Sequence, residues 1–172
     1  LDLDFDPRLD TAPAQPVRDY VADAIAGAWS GTIVTVVDGF VTTPGVDLAS
    51  SSPEPIELSR DADLFSTAHE ALSPGAALIS GALLGAPVLV DVVSTSDATT
   101  FPAVHLDVPA GSDAAVVVRM RSQGADAATV VPVITGTVRA NARLSLTVVQ
   151  DWNYDTRSFG RGIITLERDA GL

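Results

Sequence analysis

The 172-residue sequence contains no cysteine and no lysine. Without thiols the chain has no disulfide, no thiolate nucleophile and no thiolate ligand for a metal ion. All 10 basic residues are arginines, and 22 acidic residues bring the formal net charge to −12. Because an acidic surface repels a phosphate backbone, we expect no binding to nucleic acid.

Long apolar runs are also missing, although apolar residues make up 47% of the chain. Segments such as residues 86–90 and 130–134 are far shorter than the roughly 20 residues that cross a bilayer. We therefore expect no membrane insertion. The mean hydropathy of +0.30 predicts a folded chain with a buried core.

Residues 1–75 are predicted to form a lead-in of helix, hairpin and loop. Apolar residues spaced by three and four predict a short helix over residues 16–28, and a second short helix over 61–72. Between them, β-branched residues 32–37 followed by Asp38 and Gly39 predict a hairpin with a two-residue loop. The segment 44–55, rich in Pro and Ser, is predicted to be a surface connection.

Residues 76–172 are predicted to form an all-β region. Apolar β-rich segments recur about every twelve to fifteen residues, separated by short polar stretches, which is typical of a sandwich or a solenoid. The runs 88–93, 114–118 and 130–134 are apolar at nearly every position. Such runs indicate strands that are covered on both faces, which favours stacked parallel strands over a sandwich.

This region also carries sequence elements of a known family. Residues 108–122 (VPAGSDAAVVVRMRS) precede residues 130–153 (VVPVITGTVRANARLSLTVVQDWN), which contain a turn at 140–143 (ANAR), an alternating strand and the triplet 150–152 (QDW). This succession resembles the core of the SufB/SufD family of iron–sulfur cluster assembly proteins. The absence of cysteine and the QDWN form make the SufD-like branch the closer match.

The resemblance implies a right-handed parallel β-helix of the SufB/SufD type, of which this chain corresponds to the amino-terminal half. It implies a non-enzymatic scaffold component of a cytoplasmic SufBCD-type complex. The implied partners are a SufB-like paralogue and a SufC-like ATPase, with a second copy of the chain as a further partner. We expect no cofactor in this segment.

Two residues can be carried over from the family by position. Gln150 and Trp152 match a Gln and a Trp that, in SufB-type chains, are thought to line a path for sulfur inside the β-helix. At alternate positions of a strand an amide and an indole share one face, and both can form hydrogen bonds. Asp91 stands about where the family would have a basic residue. The alternative is that Gln150 and Trp152 are structural, with the indole packed and the amide bonded to backbone groups.

Other candidate metal sites have weaker support in the sequence. His69 and His105 would need aspartates to complete a metal site, so we expect structural or surface roles for both. The carboxylates of residues 1–6 (LDLDFD) are spaced by two, but the glycine and distal glutamate of a calcium loop are missing.

Enzymatic sites are also weakly supported. The glycines of residues 81–85 lack the lysine of a phosphate loop, and the chain has no G-x-S-x-G. Asp61 and Asp63 are interpreted as a solvated turn rather than a catalytic pair. Two further hypotheses stay open: an acidic all-β binding module that is exported and binds carbohydrate, and a hydrolase with an unrecognised Ser/Asp site.

Overall fold

The computed structural model describes residues 27–46, 48–49, 64–95, 97–123 and 128–172. These residues are mostly β-strand with little helix, and their sheets are mainly parallel, which confirms the mainly-β prediction. No helix within these ranges has the length and apolar character to span a bilayer. Most of the predicted helix over 16–28 lies outside the described residues.

The elements follow one another from a hairpin, through one helix, into a long series of strands. In chain order they are β1 (Thr32–Val37), β2 (Phe40–Val41), β3 (Leu48–Ala49), α1 (Leu64–Leu72), β4 (Ala76–Ser80), a 3₁₀ turn (Gly81–Gly85), β5 (Val88–Ser94), β6 (Thr99–Thr100), β7 (Ala103–Val108), β8 (Asp113–Ser122), β9 (Thr129–Val130), β10 (Val133–Val138), β11 (Arg143–Asp151), β12 (Arg157–Ser158) and β13 (Arg161–Leu166).

The described strands belong to three sheets. Sheet I has the order β11-β8-β5-β1-β2, sheet II the order β13-β10-β7-β4-β3, and sheet III the order β12-β9-β6. β2 and β3 pair antiparallel with their neighbours, and the other pairings are parallel. Each sheet is therefore extended by strands that return to it in the same direction.

From β5 onward the chain visits sheets I, III and II in turn, three times. We call these passages the first coil (β5, β6, β7), the second coil (β8, β9, β10) and the third coil (β11, β12, β13). Corresponding strands of successive coils pair in unbroken register. In sheet I Val88 lies opposite Val116, and in sheet II Ala103 lies opposite Val133. Each coil therefore places its residues directly beside those of the coil before it.

The turns that join sheet II to sheet I repeat in the same way. Gly111, Asn141 and Asp169 each have positive φ, at 70°, 58° and 59°. The amide N–H of Gly111 donates to the carbonyl of Ala140, and that of Asn141 donates to the carbonyl of Arg168, at 3.0 and 3.1 Å. Glycine, asparagine and aspartate are the residues that tolerate this left-handed conformation, so the three turns stack on one another.

The core lies between the sheets and is filled by branched side chains that alternate along each strand. In sheet I the inward side chains include Val90 in β5, Val118 in β8 and Leu144 in β11, all at most 2% exposed. A smaller cluster of Ala128 and Val130 lies near sheet III, and Trp152 packs against both clusters. Stacking of like apolar residues supplies the burial that drives folding.

Several local predictions can be compared with these elements. The hairpin at Asp38 and Gly39 is confirmed, because Val37 pairs with Phe40 in an antiparallel ladder. The second predicted helix is present over Leu64–Leu72. Segment 44–55, predicted to be a surface connection, contributes the two-residue strand β3 at Leu48–Ala49.

The prediction of strands covered on both faces holds for one run and fails for another. All seven residues of β5 are buried, as expected for residues 88–93. In β8, in contrast, Ala115 is exposed between the buried Ala114 and Val116. The run 130–134 is not one strand. It is apolar because it contains the buried corner between β9 and β10.

Candidate functional site

The two residues carried over from the family lie at the end of β11, the last strand of sheet I. β11 pairs in parallel with β8 and reaches Asp151, so Gln150 is a strand residue opposite Met120 and Trp152 follows directly. Met120 in turn lies opposite Val92, and both face the main core. By alternation Gln150 and Trp152 are on that same inward side.

The two side chains have different surroundings despite this shared side. Gln150 is exposed, as is Val148 at 45%, because within the described chain no strand covers β11 along its outer edge there. Trp152 is half-buried and packs against both apolar clusters. Its indole N–H is buried and has no hydrogen-bond acceptor among the described residues. The ring of Trp152 therefore contributes to apolar packing, whereas the amide of Gln150 faces solvent.

Asp91 lies on the opposite face of sheet I from these two residues. It is fully buried, and its carboxylate accepts hydrogen bonds from Arg121 Nε and Nη2, at 3.0 to 3.2 Å. The side chain of Arg121 is only 8% exposed. Asp91 thus does not join Gln150 and Trp152 in one site, and its charge is compensated by an arginine two positions along the neighbouring strand.

A second ion pair, between Arg119 of β8 and Asp151 of β11, lies on the same face of sheet I. We call Asp91, Arg119, Arg121 and Asp151 the charged row. Nη2 of Arg119 is 2.8 Å from Oδ2 of Asp151, with side-chain exposures of 7% and 62%. β8 therefore supplies two buried arginines, one for a carboxylate of β5 and one for a carboxylate of β11. The sequence carried a signal for this row, since Asp91, Arg121 and Asp151 recur at equal intervals along the chain.

The histidines lie in separate structural settings. His69 in α1 is 8% exposed, and its Nε2 is 3.2 Å from the carbonyl oxygen of Pro102. Its ring forms a T-shaped contact with the ring of Phe101, with the ring centroids 6.1 Å apart. Burial lowers the pKa of His69, and the bond to Pro102 opposes this in part. His69 therefore helps to attach α1 to the strands.

His105 is on the face of sheet II away from the core, with its Nδ1 2.8 Å from Oγ1 of Thr135. Burial lowers its pKa, and the carboxylate of Asp107 opposes this. Among the residues with described positions, no three His, Asp or Glu side chains are grouped to hold a metal ion.

The remaining candidates give no assembled site. The glycines of residues 81–85 form a 3₁₀ turn between β4 and β5. The carboxylates of residues 1–6 and the pair Asp61 and Asp63 lie outside the described residues. Among these candidates, the described residues that could form a functional site are thus those at the end of β11 and in the charged row beside it.

Comparisons with known proteins give no match. No protein-family model, no curated protein and no solved structure matches the chain.

The buried ion pair leads to a prediction about stability. Replacing Asp91 with Ala leaves the Arg121 guanidinium buried beside an apolar side chain, which should lower the free energy of unfolding by about 3 kcal/mol. Asp107→Ala removes the carboxylate partner of Arg139, and it should cost much less, because this pair is 31% and 50% exposed and is screened by solvent. The free energies of unfolding of the two variants are compared by urea unfolding. Equal losses of free energy would show that the buried pair of Asp91 and Arg121 stabilises the fold no more than an exposed pair does.

His69 leads to a prediction about pH. Since its pKa is lower in the folded chain than the unfolded value of about 6.5, the unfolded chain binds more protons as the pH falls. The free energy of unfolding should therefore decrease below about pH 6.5. His69→Gln removes this titration, so the urea midpoint of the variant should vary less than wild type between about pH 7.5 and 5.5. An unchanged slope would show that His69 does not contribute.

Proposed function

We propose that the chain is a scaffold segment of a SufD-like protein, built as a right-handed parallel β-helix and acting through protein–protein contacts in the cytoplasm. The observation that carries this proposal is the order of the Suf-like elements in the fold. β8, the turn at Asn141, β11 and Trp152 are consecutive parts of stacked coils. Coils that return to the same three sheets, strand beside strand and in unbroken register, are what a parallel β-helix requires.

The partner surface in this proposal is the open end of the third coil. β11 and β13 are the last strands of sheets I and II, and within the described chain each is paired along one side, apart from a single bridge to β11 at Arg143. The exposed apolar residues Val148 and Leu166 lie on these strands, at 45% and 46%. Edge strands present unpaired N–H and C=O groups that another chain can extend.

The free edge of β11 is suited to a further parallel strand. Gly171 forms a parallel bridge to Arg143, with the N–H of Leu144 donating to the carbonyl of Gly171 at 3.0 Å. The next residues along that edge, including Val148 and Gln150, are exposed. A SufB-like paralogue or a second copy of the chain would add strands here, and a SufC-like ATPase would join through the assembled complex.

Gln150 is the residue of this surface that fits a role in sulfur transfer. Its amide is exposed, so a small sulfur species can reach it, and the amide offers both a donor and an acceptor. Trp152 lies on the same side of the strand, and its half-buried ring would line the same path. These two residues would guide sulfur, while the chemistry of cluster formation would belong to the partner.

The interface can be tested with two neighbouring residues of β11. Val148 points to the inward side and Thr147 to the outward side, and both are exposed. Val148→Lys places a charge in the proposed contact and should abolish association with the SufB-like partner in a pull-down of the intact complex. Thr147→Lys is the matched control and should associate like wild type.

Loss of binding by Thr147→Lys alone, with melting temperatures near wild type, would place the interface on the outer face instead. Normal binding by Val148→Lys would contradict docking at the open end. Absence of any association between the wild-type proteins would contradict the SufD-like proposal as a whole and favour an independent acidic binding module.

The role of Gln150 can be tested separately in the assembled complex. Because Gln150 is exposed on the edge strand of sheet I, Gln150→Ala should change the free energy of unfolding by only about 0.5 kcal/mol. If Gln150 guides sulfur, the variant should bind its partners normally but assemble iron–sulfur clusters more slowly. Cluster assembly at the wild-type rate would leave Gln150 with no function beyond its place in β11.

A further inference from the structure

Four buried polar side-chain atoms without a hydrogen-bond partner among the described residues lie on the segments by which the chain passes from sheet I into sheet III. They are Oγ of Ser94, Oγ1 of Thr100, Nε1 of Trp152 and Oγ of Ser158. Ser94 is 2% exposed and Thr100 is 6% exposed. Since buried polar atoms in folded proteins nearly always have a partner, their recurrence on equivalent segments of two coils calls for a physical explanation.

The four atoms form two equivalent pairs in different coils. Ser94 ends β5, and Thr100 in β6 follows six residues later. Trp152 follows β11, and Ser158 in β12 again comes six residues later. The first pair belongs to the first coil and the second pair to the third coil.

Register places both pairs on the interior side of the strands. Ser94 continues the alternation of Val90 and Val92, which face the main core. Val130 packs with Trp152 inside the fold, and it lies between Thr100 and Ser158 in sheet III. Residues in line on neighbouring strands point to the same side, so Thr100 and Ser158 face inward as well.

The second coil provides an internal comparison. Its residues in line with these pairs are Ser122 and Val130. Val130 has no polar side-chain atom, and the hydroxyl of Ser122 is 2.8 Å from Oγ1 of Thr156 and accepts a bond from the N–H of Asn153 at 3.4 Å. In the second coil, where only Ser122 is polar, its hydroxyl thus has partners. In the first and third coils, where both residues are polar, neither side chain has a partner among the described residues.

We propose that each polar pair binds one ordered water molecule. A buried water makes about three hydrogen bonds to polar groups that would otherwise lack partners. In the first coil the water bonds the hydroxyls of Ser94 and Thr100. In the third coil it accepts from the indole N–H of Trp152 and bonds Ser158. Val130 lies in line between Thr100 and Ser158 and has no polar side-chain atom, so the two water molecules occupy separate sites.

The site in the third coil can be observed directly by NMR of the full chain. The indole proton of Trp152 should show a cross-peak to water with the sign of a long-lived contact, and Ser158→Ala should weaken or remove it. Thr100→Val should leave this cross-peak unchanged, since it alters the other site. Trp29 identifies the second indole signal, because its N–H donates to the carbonyl of Pro87 at 3.3 Å. Absence of a water cross-peak at Trp152 would overturn the third-coil site.

The site in the first coil can be tested by the sign of a stability change. Thr100→Val keeps the shape of the side chain but removes the hydroxyl. If the hydroxyl bonds a water, the melting temperature should fall by about 2–4 °C, because the water loses a partner. If no water bonds the hydroxyl, removing this buried and unsatisfied group should raise the melting temperature. Thr129→Val, at a half-buried position on the other side of sheet III, is the matched control. A rise in the melting temperature with Thr100→Val would overturn the proposal for this site.

Discussion

The constraint on which the structure depends is the unbroken register of its parallel ladders. Each coil returns to the same three sheets in step with the coil before it, so every inward position lies beside the inward position of the next coil. A shift of one residue would turn each apolar row of that strand outward. The stacked turns at Gly111 and Asn141 stabilise this register, because each combines positive φ with a hydrogen bond to the turn of the next coil.

The same register explains how charge is accommodated in an apolar sheet. Asp91, Arg121 and Asp151 recur at equal intervals along the chain, and the pairing of the strands places them on one face of sheet I. A buried arginine is costly alone, but here each arginine of β8 meets a carboxylate of an adjacent strand. The row therefore fixes which strands are neighbours, since any other strand beside β8 would have to supply the same carboxylates.

Much of the strand pattern could be predicted from the sequence, but its assembly could not. Branched residues identified the long strands and Asp38-Gly39 identified the hairpin, because both signals are local. The two-residue strands of sheet III have no periodicity to detect, so the short segments that turn each coil through this sheet could not be found in this way. The expected spacing of twelve to fifteen residues is about half of a coil, because each coil contains two long strands. The apolar run 130–134 looks like one covered strand because a buried corner has the same composition.

The candidate site shows why residue type and spacing do not determine environment. Gln150 and Trp152 are two positions apart and on one side of β11, as the sequence predicted, yet one is exposed and the other packs against two clusters. The difference arises because Trp152 lies beyond the strand, at the corner where the chain turns toward sheet III, whereas Gln150 lies on the edge strand. A role for both residues inside the stack would require a further strand beside β11. A strand paired with the outer edge of β11 would enclose the Gln150 amide and the Trp152 indole in one interior space. Whether the two residues have a functional role together therefore depends on which chain supplies that strand.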